Sequence, residues 1–225
     1  ATRLSGGYIH EARRLVTSEG DFFAKWSREA PADIFVREAE GLDALRAATT
    51  ALEIPLVVAA AEPLDGQPAF LILEHLEEHF EQPPWGLKPD PDPDSDHERL
   101  GRGLAEIHQT HASRFGFSSS NYCGSTRQDN RFCDSWPEFY RERRLRPLVK
   151  ILAARDRWAV HDLHTYDRLM SRLDDILPRD SMPSLIHGDL WSGNVLVTAR
   201  GPGLVDPAAA ACDRIGEHLA VGLLE

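Results

Sequence analysis

The chain is short of cysteine, of basic residues and of long apolar runs, and each shortage removes a class of function. Three cysteines, Cys123, Cys133 and Cys212, lie far apart in 225 residues, with no Cys-x-x-Cys pair. An odd, scattered set does not build a disulfide framework, so a reducing, cytoplasmic setting is expected. The 25 Lys and Arg stand against 36 Asp and Glu, a formal charge of −11. A chain of that sign lacks the cations that phosphate backbones and anionic lipid require, so neither nucleic acid nor membrane is expected as a partner. The apolar stretch Ile54–Ala61 falls well short of the roughly 20 residues that span a bilayer. The N-terminal residues show no signal-type apolar run. Composition leaves the oligomeric state open.

What is present is an ordinary globular composition, 42% hydrophobic and 27% charged, enough for one large domain or two small lobes. Residues 1–76 read as a small sheet with one helix. Arg13–Thr17 and Phe22–Trp26 read as strands around a turn at Glu19-Gly20-Asp21, and Leu56–Ala60 and Ala69–Glu74 as two more around Asp65-Gly66. Phe35, Glu38, Ala39, Leu42 and Leu45 fall on one stripe of a helix. Residues 78–99, with Pro83-Pro84 and the Pro/Asp alternation from Pro89 to Asp94, can form neither helix nor interior strand and are read as a linker. Residues 77–225 then read as mostly helical, with one helix marked by Leu100, Leu104, Ile107 and His111, and another running from Leu163 to Leu177 and stopped by Pro178. His108 and His111 share the face of the first of these and are read as helix-face histidines rather than metal ligands. The expected architecture is α+β: a small antiparallel sheet lobe with one helix, a hinge and a helical lobe.

Chemistry concentrates in Leu185-Ile186-His187-Gly188-Asp189-Leu190-Trp191-Ser192-Gly193-Asn194-Val195-Leu196-Val197. Asn194 follows Asp189 by five residues, and a turn at Gly201-Pro202-Gly203 returns the chain to Asp206. Phosphoryl transfer needs a carboxylate to orient and deprotonate the attacking hydroxyl, oxygen ligands for Mg²⁺, and a cation for the phosphates. Asp189 suits the first task, and Asn194 with Asp206 suits the second. A lone His-x-Asp is common; the Asn, the hairpin and the final Asp together make the pattern specific.

With these residues set out, the sequence resembles the fructosamine (ketosamine) kinase family, of the aminoglycoside-phosphotransferase branch of the protein-kinase-like fold. His-Gly-Asp-Leu-Trp-Ser-Gly-Asn followed by Val-Asp-Pro-Ala carries the resemblance. Gly6-Gly7-Tyr8-Ile9-His10-Glu11-Ala12, Phe35-Val36-Arg37-Glu38, Phe115-Gly116-Phe117, Gln128-x-Asn130 and Trp136-x-x-Phe139 extend it over nearly the whole chain. The resemblance implies the two-lobed kinase-like fold and ATP with Mg²⁺ as cofactors. It implies Asp189 as base and Asn194 and Asp206 as metal ligands. It places Lys25 on the ATP phosphates and Glu38, rather than its neighbour Glu40, on Lys25. Gly6 and Gly7 would let backbone approach phosphate, and Glu74-His75-Leu76 would be the hinge whose backbone meets adenine. Trp191 would stack on a sugar face, although core packing suits it equally on chemistry alone, and Gln128 and Asn130 would be substrate-side polar groups, although satisfying a loop backbone is the alternative for both. The implied reaction is phosphorylation of a small-molecule or protein-linked ketosamine, a deglycation step. An aminoglycoside, choline or homoserine acceptor and a silent nucleotide-binding pseudokinase are the alternatives. Family members continue with further helices beyond the Asp206 motif, so part of the helical lobe is expected to be missing after Glu225.

Overall fold

The computed structural model describes residues 2–3, 10–79, 95–155 and 160–213. Gly6, Gly7, the Pro/Asp run and the chain after Asp213 lie outside them. The first lobe is an antiparallel sheet in the order β1-β2-β3-β5-β4, from β1 (Thr2–Arg3), β2 (Glu11–Thr17), β3 (Gly20–Ser27), β4 (Val57–Ala61) and β5 (Ala69–Glu74). One helix, α1 (Ile34–Ala48), packs on it. The β2–β3 turn is tighter than the sequence suggests. It consists of Ser18-Glu19 alone, with Gly20 and Asp21 already paired to Thr17 and Val16. Glycine at position 20 lets the strand begin at φ 131°. The Asp65-Gly66 turn is as expected: both residues have positive φ, 49° and 79°, and Gln67 N–H donates to Leu64 O at 2.8 Å, the geometry Asp-Gly favours.

The second lobe is less helical than its sequence reads. After α2 (Asp96–His108) come the hairpin β6 (Asn121–Cys123)–β7 (Thr126–Gln128), α3 (Trp136–Phe139), a wide π-helical stretch at Tyr140–Leu145, α4 (Arg146–Ala154) and α5 (Val160–Ile176). The strands β8 (Ser184–Ile186), β9 (Val195–Thr198), β10 (Gly201–Leu204) and β11 (Ala210–Cys212) follow. They form two further two-stranded antiparallel sheets, β9 with β10 and β8 with β11. These strands are three or four residues long, too short for alternation to register.

Helix α2 starts inside the segment read as linker. Ser95 caps it by accepting from Glu98 N–H, a residue type that often reads equally well as loop. It also ends at His108, so His111 is off the helix, where its Nδ1 lies 3.2 Å from Ser184 Oγ. The two histidines share no face.

The main core crosses both lobes. Phe35, Leu42 and Leu45 of α1 are fully enclosed with Leu71 of β5, Ile107 of α2 and Leu204 of β10. Each such side chain contributes roughly 1.5–3 kcal/mol by burial. Because α1 belongs to this shared core, its cleft-facing residue is referenced to both lobes at once.

Candidate active site

Lys25 sits in the middle of β3, paired to Ala12 on one side and Leu71 on the other. It is only 7% exposed. A buried ammonium needs partners, and it has two. Lys25 Nζ lies 2.6 Å from Glu38 Oε2 and 2.7 Å from Asp206 Oδ1. The three side chains come from β3, α1 and the residue after the β9–β10 hairpin. Burial pulls the Lys25 ammonium down, but Glu38 and Asp206 outweigh it and hold the group above its ordinary value. Burial pushes Glu38 up to about 7 against the opposing pull of Lys25, and the Asp206 carboxylate adds to the rise. Asp206 keeps 55% of its side chain open to the cleft. Burial of its surroundings works against its charge, but Lys25 holds it below the ordinary carboxylate range. The helix stripe alone does not choose between Glu38 and Glu40; the structure chooses Glu38. Glu40 faces Arg37, with Nη1 to Oε1 at 2.5 Å.

The segment that carries Asp189 is shaped by close backbone contact. Gly188 has φ 83°, and a Cβ there would come within 2.2 Å of Ala208 O. Only glycine fits this approach. His187 is completely buried; its carbonyl accepts from Ala208 N–H at 2.9 Å, and its Nε2 lies 3.0 Å from Val205 O. A carbonyl can only accept, so Nε2 carries the proton, and Nδ1 is left to accept from Asp189 N–H at 3.4 Å. His187 thus ties the turn that carries Asp189 to Val205 and Ala208, on either side of Asp206. The sequence motif alone assigns His187 no role. Its signal was a histidine in an otherwise apolar entry, Leu185-Ile186.

Asn194 Nδ2 donates to Asp189 O at 2.8 Å and to Asp189 Oδ2 at 3.2 Å. With both contacts on its amide nitrogen, Asn194 Oδ1 accepts no hydrogen bond from a described residue. Asp206 lies just past Val205, whose N–H donates to Asn194 O at 3.1 Å, and has φ 54°. A left-handed aspartate is strained, and such strain gathers at functional sites. Burial raises Asp189 above the usual carboxylate range, partly offset by His187 and by the Asn194 hydrogen bond.

Lys25, Glu38, Asp189, Asn194 and Asp206 all line one cleft of about 680 Å³, a size that holds a nucleotide-scale ligand. Glu74, His75 and Leu76 line it too. The N–H groups of Glu74 and His75 are taken by Leu56 O and Asp21 O; the Leu76 N–H has no partner among the described residues. Among those residues no group of three or more His, Cys, Asp and Glu is arranged to hold a metal. An amide oxygen with a carboxylate is a partial set of hard donors, the kind Mg²⁺ completes with phosphate oxygens and water.

The remaining expected site residues are placed less uniformly. Trp191 is 52% exposed, which excludes core packing. Its ring lies over Gly193, where a Cβ would meet it at 2.4 Å. Gln128, half-buried on β7, lines a smaller cavity of about 190 Å³ that Gly188 also borders. Asn130 is fully enclosed. Its Nδ2 donates to Ser119 O at 3.2 Å and Asn121 Oδ1 at 2.8 Å, and its Oδ1 accepts from Arg144 at 2.6 Å. Every polar atom of that amide is occupied by the chain around it, the loop-holding role of the two that the sequence leaves open.

A buried Lys–Glu pair across a sheet and helix, facing an Asp-x4-Asn turn and a second Asp over one cleft, defines an ATP-dependent small-molecule kinase of the two-lobed kinase-like fold. The fructosamine kinase family model matches residues 1–220, and the chain belongs to that family. It is 35% identical to the "Probable ketoamine kinase" of Vibrio parahaemolyticus over 213 residues, 94% of this chain and 68% of that protein. A solved structure from Thermobifida fusca, assigned as a fructosamine-3-kinase, superposes with a TM-score of 0.79 at 30% identity, covering 99% of this chain and 72% of that one. An aminoglycoside phosphotransferase in a ternary complex with AMP-PNP and hygromycin B superposes at 0.63 with 18% identity, covering 94% of this chain and 67% of that one, and shares the fold.

Proposed function

We propose that the chain phosphorylates a sugar hydroxyl of a ketosamine, using ATP with Mg²⁺. The observation that carries the reading is the double contact of Lys25 with Glu38 and Asp206 at 2.6 and 2.7 Å, in the cleft that Asp189 also lines. Relatives named for ketoamine and fructosamine substrates support the choice of acceptor. We take the lobe boundary after Leu76, and Trp191 as an exposed ring for the apolar face of the sugar.

In this reading Asp189 accepts the proton of the acceptor hydroxyl. The hydroxyl oxygen then bonds to the γ-phosphorus as the bond to the bridging β–γ oxygen breaks, and ADP leaves with that electron pair. Asn194 keeps the Asp189 carboxylate aimed. Lys25, held by Glu38, contacts the ATP phosphates, and the Leu76 N–H is available to adenine. Asn194 Oδ1 and Asp206 would hold Mg²⁺, which neutralises charge developing on the phosphates.

A coupled ADP-release assay with ATP, Mg²⁺ and fructoselysine tests this. Acceptor-dependent ADP release is expected. No turnover with fructoselysine while nucleotide binding is intact would defeat the ketosamine assignment, and turnover with an aminoglycoside, choline or homoserine would replace it.

A further inference from the structure

The β6–β7 hairpin and the residues just before it touch both acidic partners' supports around Lys25, and nothing in the reaction as described uses them. Tyr122 OH donates to Asp33 Oδ1 at 2.7 Å. Asp33 is the residue before α1, and its side chain makes no capping bond to the helix backbone. The same carboxylate takes Arg37 Nε at 3.1 Å through Oδ2. Arg37 also reaches Glu40, and Glu40 Oε2 accepts from Ser119 Oγ. The segment from Ser119 to Tyr122 therefore grips α1 at Asp33 and at Glu40, on either side of Glu38.

The same segment holds the other partner. Asn121, only 4% exposed, donates Nδ2 to Ala209 O at 2.9 Å, and its Oδ1 is fixed by the buried Asn130. Ala209 follows Asp206 by three residues. Pro207 and Ala209 in turn lie against α1, where a Cβ on Gly41 would come within 3.2 Å of Pro207 Cγ and 3.4 Å of Ala209 Cβ. Glu38 and Asp206 are thus referenced to one short stretch of the second lobe. The Tyr122 bond to Asp33 and the Ser119 bond to Glu40 are its directional contacts at α1. Partial burial works against the Asp33 charge, but Tyr122 and Arg37 hold it below the ordinary carboxylate range, and a charged acceptor makes for a strong hydrogen bond.

We infer that Tyr122 is a positioning residue for the phosphate-contacting lysine: its hydroxyl sets α1 at the depth where Glu38 meets Lys25. The inference rests on reading Lys25 as the ATP-phosphate contact. A purely structural role would lower stability without acting through Glu38, and this separates the two.

The test is a cycle of Tyr122→Phe and Glu38→Gln, read by ATP Kd, ATP KM and thermal unfolding. Tyr122→Phe is expected to weaken ATP about three- to tenfold, the scale of one ordinary intramolecular hydrogen bond, with acceptor KM unchanged. In the Glu38→Gln background, the same change is expected to leave ATP Kd within error while still lowering Tm. Asp33→Asn, which keeps an acceptor for Tyr122, is expected to hold ATP better than Asp33→Ala. Should Tyr122→Phe not fold, Ser119→Ala removes the second grip and is read the same way. An unchanged ATP Kd in Tyr122→Phe, or an equal fold-loss in both backgrounds, overturns the inference. Lys25→Met is the control. If it leaves ATP Kd unchanged, the reading of Lys25 itself fails; if it weakens ATP and Tyr122→Phe does not, only the role of Tyr122 falls.

Discussion

Asn194 holds Asp189 twice through a single nitrogen, once at the backbone carbonyl and once at the carboxylate, at 2.8 and 3.2 Å. In the proposed reading the arrangement separates two tasks on one amide: nitrogen aims the base, and oxygen stays available to a cation. It follows that the two residues fail differently. Asp189→Asn is expected to lower kcat by about 10²- to 10⁴-fold, the usual worth of a positioned general base, with ATP Kd unchanged. Asn194→Ala is expected to lower kcat and also to raise the Mg²⁺ concentration giving half-maximal rate. Steady-state rates across a Mg²⁺ titration check both; an unchanged Mg²⁺ requirement in Asn194→Ala would remove its oxygen from the ion.

Glu38 gives the stability a pH dependence of definite sign. Burial raises its folded value from 4.5 to about 7, so between those limits the folded chain binds more protons than the unfolded one. Its contribution is then fully present below about 4.5 and is lost as pH rises through about 7. Replacing it with glutamine removes that titration. The Tm of Glu38→Gln minus that of wild type is therefore expected to rise from pH 4.5 to pH 7 and to level off above it. Thermal unfolding in a pH series measures this, and a flat difference would show that Lys25 keeps Glu38 ionised throughout.

Much of this site was legible because its residues lie close in sequence. Asp189, Asn194 and Asp206 are joined by a hairpin that the sequence does announce, although its turn is Ala199-Arg200 and the expected turn residues Gly201-Pro202-Gly203 are already paired in β10. The stripe of α1 points to Phe35, Leu42 and Leu45, all fully buried. What was not legible depended on contacts between distant segments. The three-residue strands β6, β7, β8 and β11 show no period, being defined by their partners. His187 gains its role only when Val205 and Ala208 close around it. Asn130 is left between a substrate-side role and a loop-backbone role, because a buried amide with three partners looks, in sequence, like any other asparagine. Tyr122 gave no sign of its link to Asp33, 89 positions away.

Gly188 is the position where a single methyl group tests the whole turn that carries Asp189. A side chain there is strained at φ 83° and would meet Ala208 O at 2.2 Å. Neither partner can retreat cheaply, because Ala208 N–H is bonded to His187 O. Gly188→Ala is expected to cost at least about 2 kcal/mol of stability, left-handed strain plus the clash. It should also lower kcat more than either KM, since the displaced turn carries Asp189. Chemical denaturation and steady-state kinetics check the two parts separately. Wild-type stability would mean that the turn has a second accessible conformation.

Asn130 distinguishes a residue that holds the site from one that touches the acceptor. Its amide joins Ser119, Asn121 and Arg144 within the second lobe. Removing it in Asn130→Ala leaves Asn121 Oδ1 without the Asn130 donor and withdraws the Oδ1 acceptor from the Arg144 guanidinium, which still reaches Asp129 O at 3.0 Å. Each buried group so orphaned costs on the order of 1–3 kcal/mol. Part of the loss is expected to be recovered by Asn130→Asp, which keeps an acceptor for Arg144 while losing the donor to Asn121. Denaturant midpoints should therefore rank wild type above Asn130→Asp and Asn130→Ala lowest. Acceptor KM should stay within about twofold at temperatures where all three are folded, since unchanged contacts leave binding unchanged. A selective rise in acceptor KM at unchanged stability would instead return Asn130 to the substrate surface, and would require the cavity beside Gln128 to open in solution.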